Sequence, residues 1–374
     1  MSGARSRDGS SRRLRAGGLA ALLLCTTVTA TAGADSPSIW TRARRPDVDQ
    51  RADLVAEAES LQLRAVGLHS RRARRDFDPQ ELASLSEMYL TRAALLLEEA
   101  GARTSSDLFA RFQLAEVYGL LARPAKSAAL LESIVRGGAP PVLRARAHAQ
   151  LAIEYAHVGR IDDEITQYGE ALRLQPIPHE RSRLLANRAE AYMLLGDVTA
   201  AVGGYRDALA LLSTDHMLFG SGPTTLWGLA VALDRSGDLD GGLESVRLAR
   251  SYDPRDEQIN GEGWFFLPDH DRYWYGALGH WMVARKTDMG SVRADAYTHA
   301  VTDWEAYVSH AAREDPWVAV ARVRLAQCKK EQAEFLRREK IRRTEDAHRR
   351  GKKPEAPSRP LTPDDLMKGW TPDP

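Results

Sequence analysis

The side chains with the greatest chemical capacity fall in one stretch. Asp269, His270 and Asp271 stand together, His280 follows nine positions later, and around them lie Trp264, Phe265, Phe266, Tyr273, Trp274, Tyr275 and Trp281. Carboxylates and imidazoles are the usual ligands of divalent metals. Three consecutive residues, however, cannot all face one ion without a special loop. The stretch therefore reads first as a connection between helical units, pinned by aromatic side chains, with His270 at a helix start. A partner-binding loop is the second reading and a metal site the last. Trp264, Phe265, Trp274 and Trp281 are expected to be largely buried, because so much apolar surface left in water would promote aggregation. No G-x-S-x-G nucleophile turn, S-x-x-K set, phosphate loop, H-E-x-x-H or paired C-x-x-C motif occurs. No catalytic residue, metal or other cofactor is expected, and the protein is not read as an enzyme.

Composition bounds the class. The chain has 374 residues, of which 43% are hydrophobic and 28% charged, enough to bury a sizeable core. Its 52 basic and 51 acidic side chains leave a net charge of +1, so no overall field draws nucleic acid or an anionic membrane. The N-terminus carries Arg5, Arg7, Arg12, Arg13 and Arg15 against the one acid Asp8, then an uncharged run from Ala16 to Ala34 that ends in small residues. That is the layout of a signal peptide, residues 1–34, with cleavage before Gly33 or before Asp35. The alternative is a retained membrane attachment, through Ala16 to Ala34 as an anchor or through Cys25 as a lipid site. An exported protein, periplasmic or extracellular, is expected. Cleavage removes Cys25 and leaves Cys328 alone, so packing and not a disulfide must hold the mature chain. Cys328 is expected to be an inert, part-buried thiol.

The elements that would position any site are helices. From about Val48 to Arg350 the chain is rich in Ala, Leu, Arg and Glu, with no run of strict apolar and polar alternation. Residues 35–47 read as a linker and 351–374 as a disordered tail with six prolines. Flanking helices are predicted over Val48 to Leu68, Pro79 to Ala100, Tyr297 to His310 and Pro316 to about Arg350. Between them a spacing recurs: Tyr155, Gly159, Tyr168, Ala171 and Pro176, then Tyr192, Gly196, Ala201, Tyr205 and Ala208, each aromatic returning after 37 positions. Looser copies hold Leu114, Ala115, Tyr118, Ser127 and Ile134 upstream, and Leu229, Ala230, Leu233, Gly237, Gly242, Ala249 and Pro254 downstream. A fixed period of this size means stacked supersecondary units that cannot bury their apolar faces singly.

The segment from Leu151 to Pro176 resembles the tetratricopeptide consensus, a 34-residue helix-turn-helix, and the likeness extends over about Leu108 to Pro254. The resemblance implies an all-α fold, a right-handed α-solenoid over residues 48–350, with its clearest repeats at about 108–141, 145–178, 182–215 and 223–256 and an aromatic insert at 257–275. It places Ala152, Ala171, Ala189, Ala201, Ala208, Ala230 and Ala249 at helix crossings and Gly159, Gly196 and Gly237 in the turns. Two departures stand out. Glu164 occupies a position where the family prefers Ala, and Ala122 replaces a turn glycine.

The family binds peptides in the concave groove of its first helices. Carried onto this sequence, the groove comprises Phe109, Phe112, Glu116, Arg146, Ile153, Asn187, Glu190, Met193, Trp227, Val231 and Asp234, with Trp227 as the anchor. A protein or peptide partner follows, and a non-catalytic scaffold of the cell envelope. The alternatives are a membrane-attached envelope assembly factor, or a ligand-binding or metal-binding protein using the aromatic insert. Lys329 to Lys353 holds eleven basic and five acidic side chains and reads as a solvated helix face, and Arg71 to Arg75 as a charged loop, with no nucleic-acid role. Intact-mass measurement of the protein recovered from its native compartment is expected to give an N-terminus at Gly33 or Asp35. A mass that retains residues 16–34 establishes an anchor instead.

Overall fold

The computed structural model describes residues 46–68, 78–261 and 266–351. The signal segment, nearly all of the linker and tail, the Arg71–Arg75 loop, and Trp264 and Phe265 lie outside the described residues. Within them the chain is all helical: α1 Pro46–Gly67, α2 Pro79–Glu99, α3 Leu108–Leu120, α4 Pro124–Arg136, α5 Pro141–His157, α6 Ile161–Leu174, α7 Pro178–Leu195, α8 Val198–Ala210, α9 Thr214–Phe219, α10 Gly222–Arg235, α11 Leu239–Tyr252, α12 Asp271–Lys286, α13 Gly290–His310 and α14 Val318–Gly351. The expected helix-turn-helix repeats are α3–α4, α5–α6, α7–α8 and α10–α11, each helix packed on its partner and on the next unit. The pair α1–α2 precedes them, and α12, α13 and α14 follow.

Local chemistry explains where the helices begin and turn. Pro79, Pro124, Pro141 and Pro178 stand at the first helical positions, where the missing N–H costs nothing and φ is already helical. Asp78, Asp107, Asp197 and Asp238 accept hydrogen bonds from the free backbone N–H groups that follow them. Inside each repeat the chain reverses through one left-handed residue: Gly159 at φ 73°, Gly196 at 82° and Gly237 at 101°. Ala122 fills the same place in the first repeat at φ 53°, a conformation that a Cβ disfavours.

Helix crossings are set by alanine. Ala152, Ala171, Ala189, Ala201, Ala208, Ala230 and Ala249 are all fully buried, which lets the backbones approach closely. Tyr155, Tyr168 and Tyr205 fill the spaces beside them, also buried. Tyr155 sends its hydroxyl to Glu132 at 2.9 Å and carries the Arg160 guanidinium over its ring at 4.1 Å.

After α11 the repeat rhythm ends. The connection from Asp253 to His270 delivers α12 across the α10–α11 hairpin, where Trp274 Nε1 donates to Asp234 at 2.9 Å and Arg250 donates to the Gly279 carbonyl at 2.7 Å. Trp304 of α13 meets the ring of Trp274 edge-on at 5.0 Å, and Trp281 at 6.4 Å. Trp274 and Trp281 are thus buried as expected, as core of the C-terminal part. The expected insert at 257–275 is shorter, because α12 begins at Asp271. Helix α13 begins at Gly290, seven residues before the predicted start at Tyr297. Its first turns carry only Val292, Ala294 and Ala296 as apolar side chains, a weaker signal than the aromatics from Tyr297 onward.

Gly228 marks how tightly α10 is held. A Cβ there would lie 2.5 Å from Cζ and 2.7 Å from the hydroxyl oxygen of Tyr205, itself buried. Intrinsic propensity favours Ala over Gly inside a helix by about 1 kcal/mol. Overpacking a filled core costs about 1–3 kcal/mol. Gly228→Ala is therefore expected to lower the unfolding free energy, by about 1 kcal/mol net, and a shift of the urea midpoint to lower concentration with unchanged slope checks it.

Candidate inner-face binding site

The inner face is built from first helices, and the structure divides the eleven predicted groove residues into two groups. On α3, α5 and α7, Glu116, Arg146, Ile153, Asn187 and Glu190 keep partial or full contact with solvent. Phe109 is 61% exposed at the start of α3. Phe112 is buried beneath the Arg146 guanidinium, which sits 4.7 Å from its ring centre. The same guanidinium donates to Glu116 at 3.1 Å, and Gln62 of α1 hydrogen-bonds that carboxylate. Burial raises the Glu116 carboxyl above its ordinary range, against the pull of Arg146.

The second group is closed. Trp227 is 1% exposed and Val231 and Asp234 have no exposure, so these three cannot be partner contacts as the groove pattern implied. Met193 is buried as well. The physical reason is that α10 is covered on every side from Thr225 to Arg235. Regular stacking would leave the inner side of a first helix open. Here α12 lies over it, the Trp227 ring meeting Tyr275 at 6.0 Å, while from α11 the Arg250 guanidinium sits 5.5 Å from the Trp227 ring centre. Trp317 then donates its indole N–H to the Met193 carbonyl at 3.2 Å, and Arg324 of α14 donates to Asp234 at 2.6 Å. The chain thus occupies its own groove from the end of α7 onward. No local signal in the sequence marks Trp317 or Arg324 for this role.

The acidic and imidazole residues singled out beside the aromatic stretch do not converge. Asp269 is exposed and faces Arg272. His270 stands at the start of α12 as expected and hydrogen-bonds Asp315 at 2.6 Å. Asp271 receives Arg235 at 2.7 Å, and His280 pairs with Asp303 at 2.9 Å. Among the described residues no group of three or more metal-ligating side chains is placed to hold an ion. Cys328 is wholly buried, and burial pushes its thiol up to about 12, far from a reactive thiolate. Among the described residues no helix is long and apolar enough to cross a membrane.

Three carboxylates lie on or behind the inner face: Glu154 of α5, Glu164 of α6, which departs from the family's alanine, and Glu190 of α7, one of the expected groove residues. Glu154 is fully buried and accepts from Gln150 at 2.7 Å and Ser127 at 3.0 Å, while its Oε2 has no partner. Glu164, at the family's alanine position, is 4% exposed, and its Oε2 also lacks a partner. Burial first, and the charge of Glu190 second, push Glu164 up to about 8. Glu190 is pushed up to about 8 by burial and by Asp271, against the pull of Arg235.

No protein-family model and no curated protein matches the chain. Among solved structures it is similar to MamA, at 12% identity over 49% of this chain and 99% of that one, with a TM-score of 0.38. A thermophilic TPR protein of Thermus thermophilus aligns at 21% identity over 48% of this chain and 90% of that one, with a TM-score of 0.37. A tetratricopeptide repeat protein from Parabacteroides merdae aligns at 14% identity over 73% and 99%, with a TM-score of 0.40. The helical-repeat fold of this chain stands on its own hairpins, turns and alanine crossings.

Glu164 gives a pH test of the buried acids. Its carboxyl titrates near 8 when folded against an ordinary 4.5, so the folded state favours the protonated form. Its contribution to stability is complete below about pH 4.5 and is lost as pH rises through about 8. Glu164→Gln is expected to flatten the fall in stability between about pH 5 and pH 9, with the gap from wild type reaching on the order of 2 kcal/mol at about pH 9. Urea unfolding at a series of pH values reads this directly. Parallel curves for the two proteins would show that Glu164 is not held neutral.

Proposed function

We propose that this protein is a non-catalytic scaffold of the cell envelope that holds a protein or peptide partner on the inner face of α3, α5 and α7. The observation that carries the reading is the contrast between the two halves of that face. The half at α10 is filled by the chain's own α12, Trp317 and Arg324, whereas Phe109, Arg146, Ile153 and Asn187 retain exposed surface. Ala149 and Ala156 stand one helical turn to either side of Ile153, so the surface beside it is built of short side chains. A face of apolar floor and scattered charge suits a segment that orders on binding, with anchors seated in pockets and polar groups fixing direction. The envelope location rests on the arginine-rich start and the small-residue end of residues 1–34.

A photo-crosslinking amino acid placed at Ile153 on the inner face and, separately, at Arg206 on the exposed side of α8 tests the surface in cells. Discrete crosslinked products from Ile153, absent at Arg206 and recovered with the envelope fraction, are expected. The same products from both positions, or none from Ile153, would remove the inner face as the binding surface. Products recovered only with the cytoplasm would overturn the location.

A further inference from the structure

On the open part of the inner face, one acidic position has no base. Glu190 projects from α7 at the groove position that Glu116 holds on α3 and Val231 on α10. No described side chain hydrogen-bonds or ion-pairs with its carboxylate. The groups within electrostatic reach of it come from four neighbouring helices: Glu164 and Tyr168 of α6, Tyr205 of α8, Arg235 of α10, and Asp271 and Tyr275 of α12. Arg235 is the one base among them, and that guanidinium is already held by Asp271 at 2.7 Å. A second observation is independent of exposure. Glu164, more than nine-tenths buried and within reach of Glu190, leaves Oε2 without a hydrogen-bond partner, an arrangement that costs free energy unless something completes it.

The other inner-face acids show what completes such a position in this fold. Glu116 is met by Arg146 at 3.1 Å. Asp234 is met by Arg324 at 2.6 Å, and here the guanidinium arrives on a separate helix laid over the inner face, beside an indole that caps the end of α7. That intramolecular contact displays the chemistry of a ligand seated on this surface: a planar cation on a first-helix carboxylate, with an aromatic neighbour. Glu190, which stands at the Glu116 position of its own repeat, has the carboxylate and lacks the cation.

We propose that Glu190 and Glu164 form the seat for an arginine or lysine side chain of the partner, so that the inner face selects a basic peptide segment. This rests on the reading of the inner face as the partner surface. The cation replaces the missing base, draws both carboxyls into the ionised form that burial disfavours in the free protein, meets the stranded oxygen of Glu164, and fixes the register of the segment along α5 and α7.

The test uses the full-length mature protein and a fluorescein-labelled capped peptide of alternating alanine and arginine, with a glutamate-for-arginine version as control. Fluorescence anisotropy at low salt is expected to show saturable binding of the arginine peptide and none of the acidic one. Glu190→Gln, which keeps the side-chain shape, is expected to weaken binding on the order of tenfold or more. Glu164→Gln should weaken it as well. Glu244→Gln, on the exposed surface of α11, should leave it within about twofold, which separates a seat from general attraction. Thermal melts confirm that each variant is folded. No saturable binding to the wild type, binding by Glu190→Gln within about twofold of wild type, or equal weakening by Glu244→Gln overturns the proposal. The scaffold reading fails separately, through loss of the Ile153 crosslinks. If those crosslinks persist in Glu190→Gln at wild-type yield, the surface stands and the cation seat does not.

Discussion

The Asp234 carboxylate is the point on which the C-terminal half turns. It is buried near the end of α10, and it is held from two sides by groups that come from later in the chain, the Trp274 indole and the Arg324 guanidinium. A buried carboxylate alone would be strongly unfavourable, and removing one partner of such a pair commonly costs about 3–5 kcal/mol. Asp234 therefore ties α10, α12 and α14 into one arrangement. Beside it Arg235 reaches Asp271, and Asp315 is met by both the His270 imidazole and the Tyr307 hydroxyl. Polar specificity at one end of a helix thus fixes how a largely apolar, tryptophan-rich cluster closes over it. The aromatic rings supply area, and the ion pairs supply register.

That closure decides which first-helix faces stay open. A helical solenoid of equal repeats presents its inner face along its whole length, and any side chain at a groove position is then a candidate contact. In this chain the last repeat is roofed by its own helices, so Trp227 is a core residue and not an anchor. The open part lies between α3 and α7. Its chemistry differs from a plain apolar groove because of Glu164 and Glu190, which are pushed up toward neutrality by burial and by nearby acids. Such groups persist at a cost in stability.

Much of the fold was legible in the sequence because it is set by short-range rules. A left-handed residue in each turn, proline at helix starts, and alanine at crossings are local demands, and Gly159, Pro178 and Ala171 announce them one by one. The tyrosines repeat for the same reason, since each stacked pair leaves a similar space. The departures were legible too. Ala122 replaces a turn glycine and still takes the left-handed conformation, and Glu164 replaces an alanine and is buried all the same.

What the sequence determined by itself is therefore the all-helical repeat, the positions of its turns and crossings, and the set of side chains on the first-helix faces. Only the tertiary structure decided which of those faces remain open. Period and propensity act over a few residues, whereas the covering of α10 depends on contacts such as Arg324 to Asp234, separated by 90 positions, and Trp317 to Met193, separated by 124. No periodicity encodes a partner so distant. It emerges when a buried charge and its counter-charge come together as the chain packs.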